Sequence, residues 1–193
     1  MNIGIDFDGV LTDFVAVAIY QMKRKNGTWK KGQAGKTHKD CKSIHLWECN
    51  IDITKKEYDE WFKQLSPSFW SELPMLCTQE DIDNINKVSR YNSVYAITDT
   101  PNCDAIHQRN LWLFNNGVED VSVIPTSYDA GIYKGKVIEV LDINAMLDDS
   151  PQQLRELSYT GIPLYHPIYP YTMKCAGDGV TSISDYLKRL EVI

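Results

Sequence analysis

Short apolar runs bounded by polar turns alternate along this chain with stretches whose apolar residues recur every three or four positions. The runs at 2–5 (NIGI), 93–97 (SVYAI), 121–125 (VSVIP), 144–147 (NAML) and 162–165 (IPLY) read as buried strands. Between them, 79–90 places Ile82, Ile85 and Val88 at helical intervals, and 104–115 places Ile106, Leu111, Leu113 and Phe114 in a second helix stopped by Gly117. Ser150-Pro151 is an N-cap followed by proline at the first helical position, and Gly161 closes that helix. Ser182 and Asp185 resemble a capping box ahead of Leu187 and Leu190. Strand and helix in alternation predict an α/β fold, a Rossmann-like three-layer core with a parallel sheet covered on both faces.

The alternation lapses from Phe14 to Leu73. Residues 14–20 (FVAVAIY) form an apolar helical stretch. Thr54 with Glu57 makes a capping box, and Ile53 with Tyr58 fits a hydrophobic staple, so a helix is expected over about 55–65. This predicts a small, mainly helical cap at 14–73, inserted after the first strand of a core formed by 1–13 and 74–193. Ligands of open α/β sheets bind beyond the carboxyl ends of the strands, where such a cap would lie.

Composition narrows the function classes. Twenty Lys and Arg against 26 Asp and Glu give a net charge of −6, which argues against a duplex nucleic-acid partner. No apolar stretch approaches the length of a membrane span, so no membrane partner is expected. The sequence opens without a basic n-region or long apolar h-region. Five cysteines, an odd number with no CxxC, fit reduced thiols, and a cytoplasmic location is expected. Cys77, Cys103 and Cys175 are expected as small buried hydrophobes, and a homodimer is compatible with the sequence.

The chemistry sits in acids at strand ends. Asp6-Phe7-Asp8-Gly9 follows the first strand directly, and Asp148-Asp149-Ser150-Pro151 follows another apolar run. Carboxylates gathered at the end of a buried sheet repel one another and call for a counter-cation. Hard oxygen ligands in this number suit Mg²⁺, which takes one or two carboxylates, waters and a substrate phosphate.

Residues 6–13 (DFDGVLTD) resemble the first motif of the haloacid dehalogenase superfamily, and the companion pieces follow in order. Thr98 ends the strand SVYAI, Lys134 precedes the Asp148-Asp149 strand, and Asp148-Asp149 resembles the fourth motif. Within the superfamily, the opening, the helical insertion and 69–74 (FWSELP) are similar to the 5′(3′)-deoxyribonucleotidases. The resemblance implies a Mg²⁺-dependent phosphatase in which Asp6 attacks phosphorus to form an aspartyl-phosphate. Asp8 then serves as general acid and base. It further implies Mg²⁺ held by Asp6, the Asp8 carbonyl and Asp149, with Asp148 acting through water or by orientation. Thr98 and Lys134 would hold the phosphate oxygens. Lys136 competes with Lys134 for the cationic role. Asp99, at the phosphate-binding end of the SVYAI run, is an acid where relatives often carry a neutral residue, placed to repel phosphate or to hydrogen-bond a sugar hydroxyl.

The implied substrate is a small phosphorylated metabolite, a nucleoside monophosphate first. A sugar phosphate is the alternative, and a non-catalytic binding protein of the same fold is the reading from another class. Residues 23–42 carry eight Lys and Arg against one acid, Asp40, a basic tract able to steer an anion. Trp29, Trp47, Trp61 and Trp70 lie in or beside the cap, as stacking surfaces for a base or as the cap's own core. His38, Cys41, His45 and Cys49 are ligand types that suit zinc, at spacings unlike those of common zinc modules. His107 and His166 have no partner pattern.

Overall fold

The computed structural model describes residues 1–26, 41, 43, 53–66, 68–100, 103–127 and 131–193. The chain runs β1 (Asn2–Ile5), α1 (Phe14–Asn26), α2 (Lys55–Phe62), a 3₁₀ turn at Phe69–Ser71, α3 (Gln79–Ser89), β2 (Ser93–Asp99) and α4 (Cys103–Asn115). It continues through β3 (Val121–Thr126), α5 (Lys134–Val140), β4 (Ala145–Leu147), α6 (Pro151–Leu157), β5 (Leu164–Pro167), β6 (Asp178–Val180) and α7 (Ile183–Arg189). The strands form one parallel sheet in the order β3-β2-β1-β4-β5-β6. Ile3 registers with Val94 on one side and Ala145 on the other, so β1 lies at the centre.

Alternation along each strand divides the core. Ile3, Ile5, Val94, Ala96, Ala145 and Leu147 face one layer, which includes Ile82 of α3, Trp112 of α4 and Tyr186 of α7. Ile97 and Met146 face the other, with Val137 of α5 and Leu154 of α6. Gly4 points into this second layer, where a Cβ would lie 2.6 Å from Met146 Sδ and 3.3 Å from Ile143. The centre of the sheet therefore has no room for a side chain there.

Local chemistry sets the helix starts. Thr54 and Glu57 close a reciprocal capping box on α2, and Thr78 and Asp81 close another on α3. Ser150 accepts from Gln153 N with Pro151 at the first helical position, and Gly161 follows the last turn at φ 76°.

Several boundaries differ from the hydropathy reading. α2 ends at Phe62 rather than near Leu65, because Gln64 N and Leu65 N close turns instead of helical bonds. The strand expected at 162–165 lies at Leu164–Pro167. The Asp178-Gly179-Val180 segment has no apolar run, yet it pairs with β5 as an edge strand. Ser182 caps α7 through Asp185 N at 3.0 Å, but the Asp185 carboxylate answers Thr181 N at 2.9 Å, so the box is not reciprocal. On α4 the buried face is Ala105, Arg109, Trp112 and Leu113, while Phe114 is exposed. That face is chosen by the sheet and by the 3₁₀ turn, whose Leu73 neighbour accepts from Trp112 Nε1 at 2.7 Å.

The two ends of the stretch between the first turn and α3 are tied together, with Asp13 N bonded to Pro74 O at 2.9 Å and Leu76 N to Leu11 O at 2.8 Å. Between these points an aromatic cluster forms. Phe14 meets Trp61 and Trp70 at 6.1 and 5.9 Å, and Phe69 meets Trp70 edge-on at 5.0 Å. Trp61 is buried in this cluster. Trp29, Trp47, His38, His45, Cys49 and the basic tract beyond α1 lie outside the described residues. Cys41 and Cys77 are buried, whereas Cys103, in the first turn of α4, is exposed rather than buried as expected, and Cys175 is half-buried. His107 is exposed and His166 is buried against its own strand, with Nδ1 3.1 Å from Pro167 O. No described helix is long and apolar enough to cross a membrane.

Candidate active site

Three adjacent strands deliver acids to one place. Asp6 follows β1, Asp148 and Asp149 follow β4, and Thr98 and Asp99 end β2. The backbone holds these ends in register, since Asp6 N donates to Leu147 O at 2.8 Å and Asp148 N to Tyr165 O at 3.1 Å. Lys134 is the first residue of α5 and is buried. Its Nζ lies 2.9 Å from Asp6 Oδ1 and 2.6 Å from Asp148 Oδ2. Lys136, two residues on, pairs with Glu139 on the exposed side of the helix. Lys134 is thus the lysine that joins the carboxylates.

The turn after β1 packs against the acid after β4. Gly9 has φ 82°, and a Cβ there would lie 2.1 Å from Asp149 Oδ2. Only a glycine supplies both the left-handed backbone and the space. Tyr169 Oη donates to Gly9 O at 3.0 Å, and Tyr171 Oη donates to Asp149 Oδ2 at 2.6 Å.

Burial dominates the electrostatics. It pushes Asp6 up to about 7, opposed by Lys134 and reinforced by the charges of Asp148 and Asp8. Asp149 is raised well above the ordinary carboxylate range by burial and by the Asp6 and Asp148 charges. Burial works against the Lys134 charge, but Asp148 and Asp6 together outweigh it and raise the ammonium above its usual value. Asp99 is raised by burial, against the pull of Lys134 and Arg109.

Asp6, Asp148 and Asp149 each offer a carboxylate oxygen, and these atoms all lie within 4.8 Å of one another. Three buried acids against one lysine leave an excess of negative charge on hard oxygens, which fits a divalent cation such as Mg²⁺. Both Asp148 oxygens are engaged, one by Lys134 and the other by Ser150 N at 2.8 Å. Asp149 has one oxygen engaged by Tyr171, which favours it as the direct ligand.

Asp8 stands at the edge of this cluster. Thr12 Oγ1 donates to its Oδ1 at 3.0 Å, and Arg109 pairs with its Oδ2. Asp6, Asp8, Thr98, Asp99, Lys134 and Asp149 all open onto a cavity of about 830 Å³. One wall is aromatic, from Phe14, Tyr58, Phe62 and Trp70, and another is polar, with Gln152, Gln153 and Arg155 of α6. A phosphate fills only a fraction of that space, so the remainder is available to the group it esterifies.

No protein-family model and no curated protein matches the sequence. Solved structures do match. A haloacid dehalogenase-like family hydrolase from Streptococcus pneumoniae aligns with TM-score 0.61 at 13% identity, over 98% of this chain and 97% of that one. A protein named as a candidate beta-phosphoglucomutase from Thermotoga maritima aligns with TM-score 0.59 at 17% identity, over 100% and 99%. A haloacid dehalogenase-like family hydrolase from Xanthomonas campestris aligns with TM-score 0.55 at 9% identity, over 99% and 94%. This chain has the haloacid dehalogenase-like fold.

Within the haloacid dehalogenase-like fold, the five acids Asp6, Asp8, Asp99, Asp148 and Asp149 expected from sequence gather with Thr98 and Lys134 at the carboxyl edge of the sheet. Among the described residues that bond to the acids or to the turn after β1, Arg109, Tyr169 and Tyr171 escaped the sequence reading. The tyrosines lie in a loop without helical or strand pattern, and nothing local marks them. Arg109 does leave a trace, because it shares the i, i+4, i+7, i+8 stripe of Ala105, Trp112 and Leu113.

Proposed function

We propose that this protein is a Mg²⁺-dependent hydrolase of small organic phosphomonoesters, working through an aspartyl-phosphate on Asp6. The observation that carries this reading is the meeting of Asp6, Lys134, Asp148 and Asp149 at the floor of a cavity that Asp8 also faces. Asp6 attacks phosphorus as the ester oxygen departs, and Asp8 gives that oxygen its proton. Asp8 then takes a proton from the water that cleaves the aspartyl-phosphate and releases inorganic phosphate. Thr98 and Lys134 stabilise charge on the transferring phosphoryl oxygens. Mg²⁺ held by Asp6 and Asp149, with Asp148 beside it, would neutralise phosphoryl charge and orient the ester.

Two leaving-group classes suit the cavity. The aromatic wall of Phe14, Tyr58, Phe62 and Trp70 favours a nucleoside monophosphate whose base packs on a ring. The opposite wall, with Asp99, Gln152, Gln153 and Arg155, favours the hydroxyls of a sugar phosphate. The fold shared with a candidate beta-phosphoglucomutase adds weight to the sugar phosphate.

The test is phosphate release from a panel of nucleoside monophosphates and sugar phosphates, with Mg²⁺ and then with a chelator. Metal-dependent release is expected. Preference for one class assigns the leaving group. A folded protein that releases no phosphate from any ester would overturn the hydrolase in favour of a binding protein of the same fold.

A further inference from the structure

We propose that Arg109 is the residue that positions Asp8, an assignment that rests on Asp8 being the proton donor of the hydrolase proposed above. Arg109 is fully buried. One guanidinium nitrogen pairs with Asp8 Oδ2, and the other donates to the main-chain carbonyl of Asp99 at 2.6 Å. The guanidinium lies 4.4 Å from the Trp70 ring centroid and 5.4 Å from that of Phe7.

Packing alone does not call for a cation here. The rest of this helix face is Ala105, Trp112 and Leu113, and an apolar residue would continue it. Replacing a buried ion pair with apolar groups of similar volume is often neutral or stabilising. Among the described residues the buried Nε also has no hydrogen-bond acceptor, an added cost. What the cation does provide is a fixed orientation. With Thr12 on one oxygen and Arg109 on the other, the Asp8 carboxylate is held at two points. A planar guanidinium fixed by a carbonyl and a ring is suited to that task.

The test compares kcat/KM for p-nitrophenyl phosphate with that for the best alkyl ester of the panel. Nitrophenolate departs without protonation, whereas an alkoxide needs a proton donor. The quantity kcat/KM reports steps through ester cleavage and so excludes hydrolysis of the aspartyl-phosphate. Asp8→Asn should lower the alkyl ester by on the order of 10² more than the nitrophenyl ester. Arg109→Lys, which keeps the charge but loses the fixed fork, should show the same selective loss at about tenfold. Adding it to Asp8→Asn should cost less than about threefold further, because the two residues act as a unit.

An equal loss on both esters from Arg109→Lys, with Asp8→Asn still selective, would make Arg109 a structural residue and overturn the proposal. An equal loss from Asp8→Asn itself would remove Asp8 as proton donor, and Arg109 would lose its role with it. Arg109→Gln provides a second variant, with folding followed by circular dichroism. Failure of both variants to fold would also assign Arg109 to structure.

Discussion

Replacing Asp6 with Asn should abolish turnover and yet stabilise the metal-free protein at alkaline pH. Asp6 is buried beside Asp148 and Asp149, and burial pushes it up to about 7 in the folded chain. In the unfolded chain it titrates near the ordinary value of about 3.9. Below about pH 3 the residue is protonated in both states and imposes no cost. As pH rises from about 4 to 7 the unfolded chain ionises here while the folded one keeps its proton, so stability falls, and above about pH 8 the loss is complete. The gap between 3.9 and 7 corresponds to a ceiling of about 4 kcal/mol above pH 8. Asn retains an oxygen at the position that accepts from Phe7 N at 2.8 Å and Lys134 Nζ at 2.9 Å, so the local contacts persist. With relaxation of the neighbouring acids, a gain of about 2–3 kcal/mol at pH 8.5 is expected, shrinking to about 1 kcal/mol near pH 5 and to zero near pH 3. The assay is denaturant unfolding of both proteins in chelator across that pH range. A variant less stable than wild type at pH 8.5, or more stable by the same margin at every pH, would refute the reasoning.

The remaining predictions concern the scaffold. Asp81 caps α3 and accepts from both Ser184 N and Ser184 Oγ at 2.7 Å, tying α3 to α7. Burial opposes its charge, but these hydrogen bonds outweigh it and hold the carboxyl below its usual value. Asp81→Ala should therefore cost about 2–4 kcal/mol at neutral pH. The Asp81 contribution is present above about pH 4 and fades as pH falls through its lowered folded value, which unfolding of wild type and variant at pH 7 and pH 3 will show. Trp112→Phe removes the 2.7 Å bond to Leu73 O and part of the edge contact with Phe7. A loss of about 1–3 kcal/mol in denaturant unfolding is expected.

Much of the site was legible because it is local. Asp6 and Asp8 are two residues apart, Asp148 and Asp149 are adjacent, and each pair follows an apolar run that could only be a strand end. Lys134 was legible through its helix start, and the structure separates it from Lys136 by the side of α5 each occupies. The stripe of α4 marks Arg109 as buried, but its partners were not legible, because Asp8 and the Asp99 carbonyl are brought to it by the packing of α4 against the first turn. Phe114 misled for a related reason. Its hydropathy suggests burial, but the direction of α4 is set by Trp112 and Leu113, which leaves Phe114 in solvent. β6 has almost no apolar content and exists through its pairing with β5, which no local pattern announces.

The central place of β1 has a consequence for how the protein is made. Its partners are β2, beginning at Ser93, and β4, beginning at Ala145, so the strand nearest the start of the sequence waits longest for its neighbours. Tyr186 Oη then closes over the same strand by donating to Gly4 O at 3.2 Å. During synthesis, Asp6 emerges well before Asp148 and Asp149 exist, and its pocket closes only after those two residues have been joined. Until then the central strand exposes an unpaired apolar edge, the kind of surface on which nascent chains aggregate or recruit chaperones. Ribosome-held fragments stopped before Asp148 would carry Asp6 without the acids that it meets in the folded chain, so the carboxylate cluster assembles late in the chain's growth.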